Sequence, residues 1–321
     1  MTQGRSLTVH CPAPEEARLV AEPAPLAPGQ AQIWFARLDE MRGRIPEYSA
    51  LLDEEEQQRA DRFRFPIDRE RYIIGHGMLR MLLSRYTGID PIEIRTDRGK
   101  HGKPFLPDRS IHFNLSDTKD AVLIAFALDD EIGADLETIS RTVDHEAVAE
   151  HYFTRREVEW INASDDRKRR FLELWTRKEA VLKASGVGIM DDLRVLEVHD
   201  SCNTMRIMHE AFVADAAQEY VVKTWRLGGE HVVSLAGVRQ LGVEFIAFKD
   251  SSSTMTEEEI KKAISKVVGI GGMTVNERLW VSGLWDIYEQ ALVEDKGKAR
   301  LILRLLKVDE SSINLIMSKY E

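Results

Sequence analysis

Apolar residues follow two different spacings along the first 250 residues of the chain. Alternating or continuous apolar runs, such as Ala31 to Leu38 and Ala121 to Leu128, predict β-strands. Apolar residues three and four positions apart, such as Ile74, Met78 and Leu82, predict helices. Strands are predicted at residues 31–38, 92–96, 111–115, 121–128, 132–137, 194–198, 205–212, 220–227 and 231–238. Helices are predicted at residues 53–64, 68–88, 144–153, from 154 onward, and at 165–184.

The order of these elements divides the chain into regions. A strand, then helices, then several strands occur twice, which predicts an α+β fold made of two similar halves at residues 31–129 and 130–249. Residues 1–30 are rich in Pro and Ala and lack periodicity, so they are predicted to be a flexible leader or a loosely packed extended segment. Residues 250–321 are predicted to form a Ser-rich linker at 250–254 and then a small all-helical module.

Length, charge and cysteine content exclude several classes of protein. A chain of 321 residues with 43% hydrophobic residues can bury a sizeable core. The net charge of −10 argues against general nucleic-acid binding, and no apolar run is long enough to predict a membrane span. Two cysteines make a disulfide framework or a Cys-based metal site improbable. These features predict a cytoplasmic protein with no membrane partner.

The predicted helical module has a stripe of apolar residues formed by Trp280, Leu284, Ile287, Tyr288 and Leu292. Such a stripe is typical of a small core. The module is interpreted either as a partner-binding or self-association domain or as an inert appendage, and a natural or engineered fusion would explain it.

Two acidic residues on one predicted strand are the first candidates for chemistry. Asp135 and Glu137 are two positions apart, so their side chains share one face of the strand. Adjacent carboxylates repel each other, and a divalent cation relieves that repulsion. Two ordinary solvated surface acids remain the alternative interpretation.

A second candidate lies on the helix predicted at residues 165–184. Glu179 and Lys183 are four positions apart on one face, and Lys178 is next to them. Apolar neighbours such as Trp175 and Val181 place this charged stripe beside a buried face, as in the wall of a site. A solvated Glu–Lys pair is the alternative.

Four segments together resemble a known family. They are Gly102-Lys103-Pro104, Phe113-Asn114-Leu115-Ser116, Ile132 through Glu137, and Trp175 through Lys183. In this order and approximate spacing they are similar to the Sfp-type 4′-phosphopantetheinyl transferases, over about residues 30–240. The resemblance implies a pseudo-dimer of two α+β halves, coenzyme A as co-substrate, Mg²⁺ with Mn²⁺ as an alternative, and a carrier-protein serine as acceptor.

The resemblance also implies roles for individual residues. Asp135, Glu137 and Glu179 resemble the magnesium ligands, and Mg²⁺ prefers such hard oxygen donors. Glu179 is also the implied base, and Lys183 the implied phosphate-neutralising residue. The implied contacts with coenzyme A are Arg59, Arg71, Lys103, Pro104, Ser116, Lys178 and Lys183. Of these, Arg71 and Arg59 resemble the residues that hold the 3′-phosphate.

The main departure from the family pattern is at Asp117; a smaller one is Ala134, where a bulkier apolar residue is common. Asp117 follows Ser116 where the family usually has His, and an acid beside a diphosphate repels it unless the acid faces away or meets the metal. Lys119 is a candidate for the missing positive charge. This departure motivates the alternative function, a catalytically impaired scaffold that binds coenzyme A and carriers and whose helical tail recruits a partner.

The acceptor is predicted to be an acyl or peptidyl carrier protein of fatty-acid, polyketide or peptide biosynthesis, and the sequence does not distinguish among them. Two basic patches, Arg155-Arg156 and Arg167-Lys168-Arg169-Arg170, are candidates for docking an acidic carrier. An ordinary solvated helix surface explains each of them equally well.

Overall fold

The structure is a computed structural model that describes residues 4–188, 192–248, 257–267 and 269–320. The chain divides into two compact units, Met1–Phe248 and Lys249–Glu321. In the described residues, no helix is both long and apolar enough to cross a lipid bilayer. The linker predicted at residues 250–254 lies outside the described residues.

The first unit contains both strands and helices, as the α+β prediction requires. Its strands are β1 (Arg5–His10), β2 (Glu15–Ala17), β3 (Leu19–Val20), β4 (Gln30–Arg37), β5 (Asp97–Arg98), β6 (Pro104–Phe105), β7 (His112–Asp117), β8 (Ala121–Ala127), β9 (Ile132–Thr138), β10 (Cys202–Ile207), β11 (Glu219–Leu227), β12 (His231–Gly237) and β13 (Gly242–Ala247). Its helices are α1 (Leu38–Met41), α2 (Ile45–Leu51), α3 (Glu54–Asp61), α4 (Pro66–Thr87), α5 (His145–Tyr152), α6 (Arg155–Asn162), α7 (Arg167–Ser185) and α8 (Glu210–Asp215).

Two large sheets form the centre of this unit. One has the order β10-β1-β11-β12-β9, with β2 also paired to β11, and the other has the order β3-β13-β4-β8-β7. Helices α1 to α4 cover the second sheet, and α5 to α7 cover the first. A third apolar cluster, which includes Ile33, Leu123, Leu136 and Val233, joins the two sheets. This arrangement confirms two α+β halves.

The ends of the unit exchange strands between the halves. The N-terminal strand β1 pairs with β10 and β11, which belong to the C-terminal half. Strand β13, near the end of the unit, pairs in parallel with β4 of the N-terminal half. A flexible leader is therefore wrong for Arg5–His10, where Leu7 and Val9 are buried in the first sheet, and the extended-segment alternative describes this part better.

Two predicted strands are absent, and buried basic side chains bind carbonyls within or directly before each of these segments. At residues 92–96 the Arg80 guanidinium donates to the carbonyls of Pro91 and Ile94, at 3.0 and 3.1 Å. At residues 194–198 the chain forms a short 3₁₀ turn, and Lys178 donates to the carbonyls of Leu193 and Leu196. Bonded in this way, these carbonyls need no neighbouring strand. The strand predicted at 205–212 is also shifted, since β10 ends at 207 and α8 follows.

Capping residues set the ends of several helices. Asp53 and Glu56 form a capping box at the start of α3, and Thr154 and Glu157 form another at the start of α6. Helices α4 and α7 end at Gly88 and Gly186, which have the left-handed backbone conformation typical of helix ends.

The second unit is helical and has its own core. Its helices are α9 (Glu257–Ser265), α10 (Val275–Val281), α11 (Trp285–Glu294), α12 (Lys296–Leu305) and α13 (Glu310–Met317). Its core includes Leu279, Leu284, Ile302 and Leu306. The predicted stripe is corrected at Trp280, which is 74% exposed, because Leu279 takes the buried position.

Candidate active site

Helix α7 lies directly against strand β9 at Gly133. A Cβ atom built on Gly133 would lie 2.1 Å from the Ala180 carbonyl oxygen and 2.2 Å from the Ala184 nitrogen. Both are backbone atoms of the helix, so only a residue without a side chain allows this approach. The approach brings Glu179 and Lys183 of α7 to the segment of β9 that carries Asp135.

Side chains of β7 complete the free edge of β9, which is the last strand of its sheet. The Asn114 side-chain oxygen accepts a hydrogen bond from the Ala134 backbone nitrogen at 2.8 Å. Two residues further along each strand, the Ser116 hydroxyl oxygen accepts one from the Leu136 nitrogen at 3.2 Å. The Asn-Leu-Ser pattern thus joins the two halves at the site, because alternate residues of β7 face the same strand edge.

Asp135 and Lys183 form an ion pair at this junction. The Lys183 ammonium donates to one Asp135 carboxylate oxygen at 2.6 Å, and also to the Ala134 carbonyl and the Ser116 hydroxyl at 3.1 Å each. The Ser116 hydroxyl donates to the same Asp135 oxygen at 3.0 Å. The second Asp135 oxygen, Oδ2, is buried and has no hydrogen-bond partner.

Glu137 is held by two other groups. Arg141, in the loop after β9, donates to its Oε1 at 2.6 Å, and the Thr118 hydroxyl donates to its Oε2 at 3.3 Å. Burial raises the pKa of Glu137, and the Arg141 charge opposes that effect. The negative charge of Asp135 adds to the increase, so the two strand carboxylates interact.

Glu179 has the most perturbed carboxyl group of the site. Burial raises its pKa from 4.5 to about 7, and the charges of Asp135 and Glu137 add to the increase, while Lys183 opposes it. A carboxyl group that titrates near neutral pH can accept and release a proton under ordinary conditions. The three acids named by the sequence therefore form one interacting group.

These acids are not assembled as a metal-binding set. Over the described ranges, no group of three or more His, Cys, Asp or Glu side chains is placed to hold a metal ion. Lys183 and Arg141 occupy oxygens of Asp135 and Glu137 instead. The magnesium ligand set stays a prediction.

Asp117 does not face away from the site. Its carboxylate pairs with the Arg71 guanidinium, which also donates to Asp68 at 2.9 Å. Burial raises the pKa of Asp117, and Arg71 and Lys183 oppose that effect. Asp117 thus lies within electrostatic range of both basic residues. Lys119 donates instead to the Ser140 carbonyl at 2.7 Å, which ties it to the loop after β9.

The structure corrects the predicted coenzyme contact of Lys178. Its side chain is fully buried, and its ammonium donates to Glu157 at 2.7 Å and to two backbone carbonyls. The fully buried Glu157 also accepts from the Val198 nitrogen. Lys178 therefore stabilises the core behind α7. The buried Ser116 hydroxyl is likewise used within the protein, so it positions β9, Asp135 and Lys183.

The remaining predicted contacts lie on the N-terminal half. Lys103 donates to Glu131 at 2.6 Å and to the Ile132 carbonyl at 2.8 Å, and Pro104 lies in β6. Arg59 is exposed on α3 with its guanidinium 5.7 Å from the Tyr72 ring centre. Their contacts with a coenzyme stay predictions.

A largely apolar cavity of about 180 Å³ next to Glu137 was not predicted from the sequence. It is lined by Glu137, Arg141, Val143, His145, Val148, Tyr152, Lys168, Phe171, Leu172 and Trp175. The signal available in the sequence was the spacing of Phe171 and Trp175, which places both rings on one face of α7.

Two family models match the segments that build this site. One, described as the 4′-phosphopantetheinyl transferase superfamily, matches residues 131–236, which contain β9 and α7. The other, described as 4′-phosphopantetheinyl transferase, N-terminal, matches residues 42–128.

Individual proteins with this description are also similar in sequence. The chain is 37% identical over 166 residues to the 4′-phosphopantetheinyl transferase HetI of Nostoc sp., which covers 50% of this chain and 70% of HetI. It is 37% identical over 169 residues to a putative 4′-phosphopantetheinyl transferase of Synechocystis sp., and the match covers 51% of this chain and 68% of that protein. It is 29% identical over 145 residues to the 4′-phosphopantetheinyl transferase Sfp of Bacillus subtilis, and the match covers 44% of this chain and 63% of Sfp. With more than two thirds of HetI matched at this identity, the chain belongs to the 4′-phosphopantetheinyl transferase family.

Proposed function

We propose that the protein transfers the 4′-phosphopantetheine group of coenzyme A to a serine of an apo acyl or peptidyl carrier protein and releases 3′,5′-ADP. Family membership supports transfer to carrier proteins. The observation that carries the finer proposal is the close approach of α7 to β9, which brings Glu179 and Lys183 of the helix to Asp135 of the strand. In the reaction the serine oxygen bonds to the β-phosphorus, and the bond from that phosphorus to the bridging oxygen of 3′,5′-ADP breaks.

Glu179 is the proposed acceptor of the serine proton. A carboxylate at this position can take that proton directly or through a bound water as the oxygen attacks. Lys183 is held by the Ser116 hydroxyl and the Ala134 carbonyl, and it would present a positive charge to the diphosphate and its leaving oxygen.

The oxygen donors of these residues suit a magnesium ion chemically, with manganese as an alternative, although the described residues do not gather them into a metal site in their present arrangement. The buried Asp135 Oδ2 has no hydrogen-bond partner, and a hard cation would satisfy it. Asp135, Glu137 and Glu179 would hold the ion, while Lys183 and Arg141 would release the two carboxylates that they now bind. When bound, the ion would withdraw negative charge from the diphosphate.

Basic and apolar groups beside the site support an acidic carrier as the acceptor. Arg141 and Lys168 lie at the cavity next to Glu137, whose other lining is mostly apolar. The patch at residues 167–170 opens α7, and Lys168 belongs to both features. Reversing charges in this patch is expected to raise KM for the carrier at low salt, and much less at high salt, because exposed charges are screened.

The direct test is to incubate the protein with coenzyme A, Mg²⁺ and a panel of apo carrier proteins and to measure carrier mass. We expect a gain of one phosphopantetheine group on at least one carrier. Glu179→Ala should abolish the gain, while Glu219→Ala, at an exposed glutamate of β11, should not. Binding of coenzyme A and carriers without modification of any of them would favour the scaffold function instead.

Metal binding has a separate test that does not depend on transfer. Mg²⁺ should raise the melting temperature of the protein in a concentration-dependent way, because a ligand that binds only the folded state stabilises it. Asp135→Asn should remove most of this increase. An equal increase in that variant would exclude Asp135 as a ligand.

A further inference from the structure

Asp117 places a negative charge on the basic side of the site. It is the last residue of β7, next to Ser116, and about 38% of its side chain is exposed. Its carboxylate pairs with Arg71 of α4, whose side chain is 25% exposed. Solvent, and therefore a ligand, can reach this ion pair.

The charges around Arg71 do not favour a phosphate. Arg71 carries one positive charge and contacts two carboxylates, those of Asp68 and Asp117. Lys183 is within electrostatic range of Asp117, but it is itself paired with Asp135. A dianionic phosphate that approaches Arg71 must therefore displace Asp117 and remain close to its charge.

Coenzyme A carries phosphate in two places, a diphosphate and a 3′-phosphate monoester. The diphosphate contains the reacting phosphorus, so it belongs near Glu179 and Lys183. The resemblance to the Sfp-type transferases implies that the 3′-phosphate is held by Arg71, and a guanidinium can bind a phosphate through two parallel hydrogen bonds. Asp117 and Asp68 bind the Nε and Nη2 groups of Arg71, which form one of the two edges through which a guanidinium can bind a phosphate, so Asp117 and the phosphate would compete at that edge.

We propose that Asp117 competes with the 3′-phosphate for Arg71 and makes the protein nearly indifferent to that phosphate, so that 3′-dephospho-coenzyme A binds about as well as coenzyme A. This inference rests on the proposed function, because it concerns the donor of that reaction. Asp117 is then a specificity-determining residue, at the position where this chain departs from its family's usual histidine.

The test is the ratio of the dissociation constants of the two donors, measured by calorimetry with Mg²⁺ present. For the unmodified protein we expect the constants to agree within about threefold. Asp117→Asn keeps the shape and removes the charge, so it should tighten coenzyme A by about tenfold more than it tightens the dephospho form, which keeps only the diphosphate near Lys183. Asp61→Asn is the matched control. Asp61 is an exposed acid of α3 that pairs with Arg69, and Arg69 lies on α4 as Arg71 does.

A second variant identifies the arginine. Arg71→Met as a single substitution should change the ratio of the two dissociation constants little. Combined with Asp117→Asn, it should eliminate the tightening of coenzyme A that Asp117→Asn produces alone. An unchanged ratio in Asp117→Asn, or an equal tightening of both donors, would overturn the inference. A strong preference for coenzyme A in the unmodified protein would do the same.

Transfer to an apo carrier separates this inference from the proposed function. If the dissociation constants behave as expected but no carrier gains mass, the inference holds and the transferase activity fails. If carriers are modified but only with the 3′-phosphorylated donor, the transferase activity holds and the inference fails.

Discussion

Replacing Gly133 by alanine tests how closely helix α7 lies against strand β9. The added Cβ would lie 2.1 Å from the Ala180 carbonyl oxygen, 2.2 Å from the Ala184 nitrogen and 2.8 Å from the Lys183 carbonyl carbon. Ordinary contacts of this kind begin near 3.4 Å, so helix and strand must separate by about 1.3 Å. No rotamer change relieves the clash, because all three atoms belong to the helix backbone.

The separation should affect catalysis more than folding. Helix α7 carries Glu179 and Lys183, and a displacement of about 1 Å at reacting groups can lower a rate by roughly a hundredfold. Overpacking a core typically costs about 1–3 kcal/mol in the free energy of unfolding. We therefore expect Gly133→Ala to fold, with kcat/KM for carrier modification lower by roughly two orders of magnitude.

Gly237→Ala is the matched control for this experiment. Gly237 lies on β12 of the same sheet and pairs with Ile132 of β9. A Cβ there would have its nearest neighbour at 3.5 Å, an ordinary contact. Transfer assays and urea unfolding should give nearly unchanged values for this variant. If Gly133→Ala retained both the rate and the stability of the unmodified protein, the close approach would not exist.

Three further predictions concern protonation, the buried ion pair and the helical unit. Folding raises the pKa of Glu179 to about 7, so the contribution of its protonated form to the free energy of unfolding is complete below about pH 4.5 and is lost as the pH rises through 7. Glu179→Gln should therefore be more stable than the unmodified protein at pH 8.5, by roughly 3 kcal/mol in metal-free urea unfolding. Near pH 4.5 the two proteins should be equally stable. A variant less stable at both pH values would contradict this. Glu157→Gln leaves the Lys178 ammonium buried without its counter-charge, so urea unfolding should show a free energy of unfolding lower by about 3–5 kcal/mol. A decrease below about 1 kcal/mol would mean that the ion pair is hydrated. Ending the chain at Phe248 should leave the unfolding of the first unit and carrier modification largely unchanged, because that unit has its own cores; loss of transfer would assign the helical unit a role in catalysis.

Local patterns in the sequence predicted much of the framework of the site. The apolar runs at residues 121–128 and 132–137 correspond to β8 and β9, and the capping boxes at Asp53 and Thr154 begin α3 and α6. These features depend on neighbours in the chain, since side chains alternate along a strand and recur every three to four residues along a helix. The same periodicity placed Asp135 with Glu137, and Glu179 with Lys183, on shared faces.

Residue identity alone could not distinguish a site residue from a buried one. Lys178 and Lys183 are both basic residues of α7, but one is fully buried against Glu157 and the other faces Asp135. The orientation of α7 about its own axis and the packing of α6 against it decide which lysine is buried and which one faces Asp135. Asp117 is a similar case, because its pairing with Arg71 brings together residues from β7 and α4 that only the folded chain places in contact.

The sequence by itself therefore determined most of the α+β elements and their approximate ends, and it placed the acids of β9 and the Glu–Lys pair of α7 on shared faces, because these features follow from short-range spacing. The other site residues came from the resemblance to the family. Only the tertiary structure decided which charges meet, where the N-terminal segment pairs and how closely α7 approaches β9. Those outcomes depend on contacts between distant segments. Each such contact must satisfy buried backbone groups and charges that no local pattern specifies.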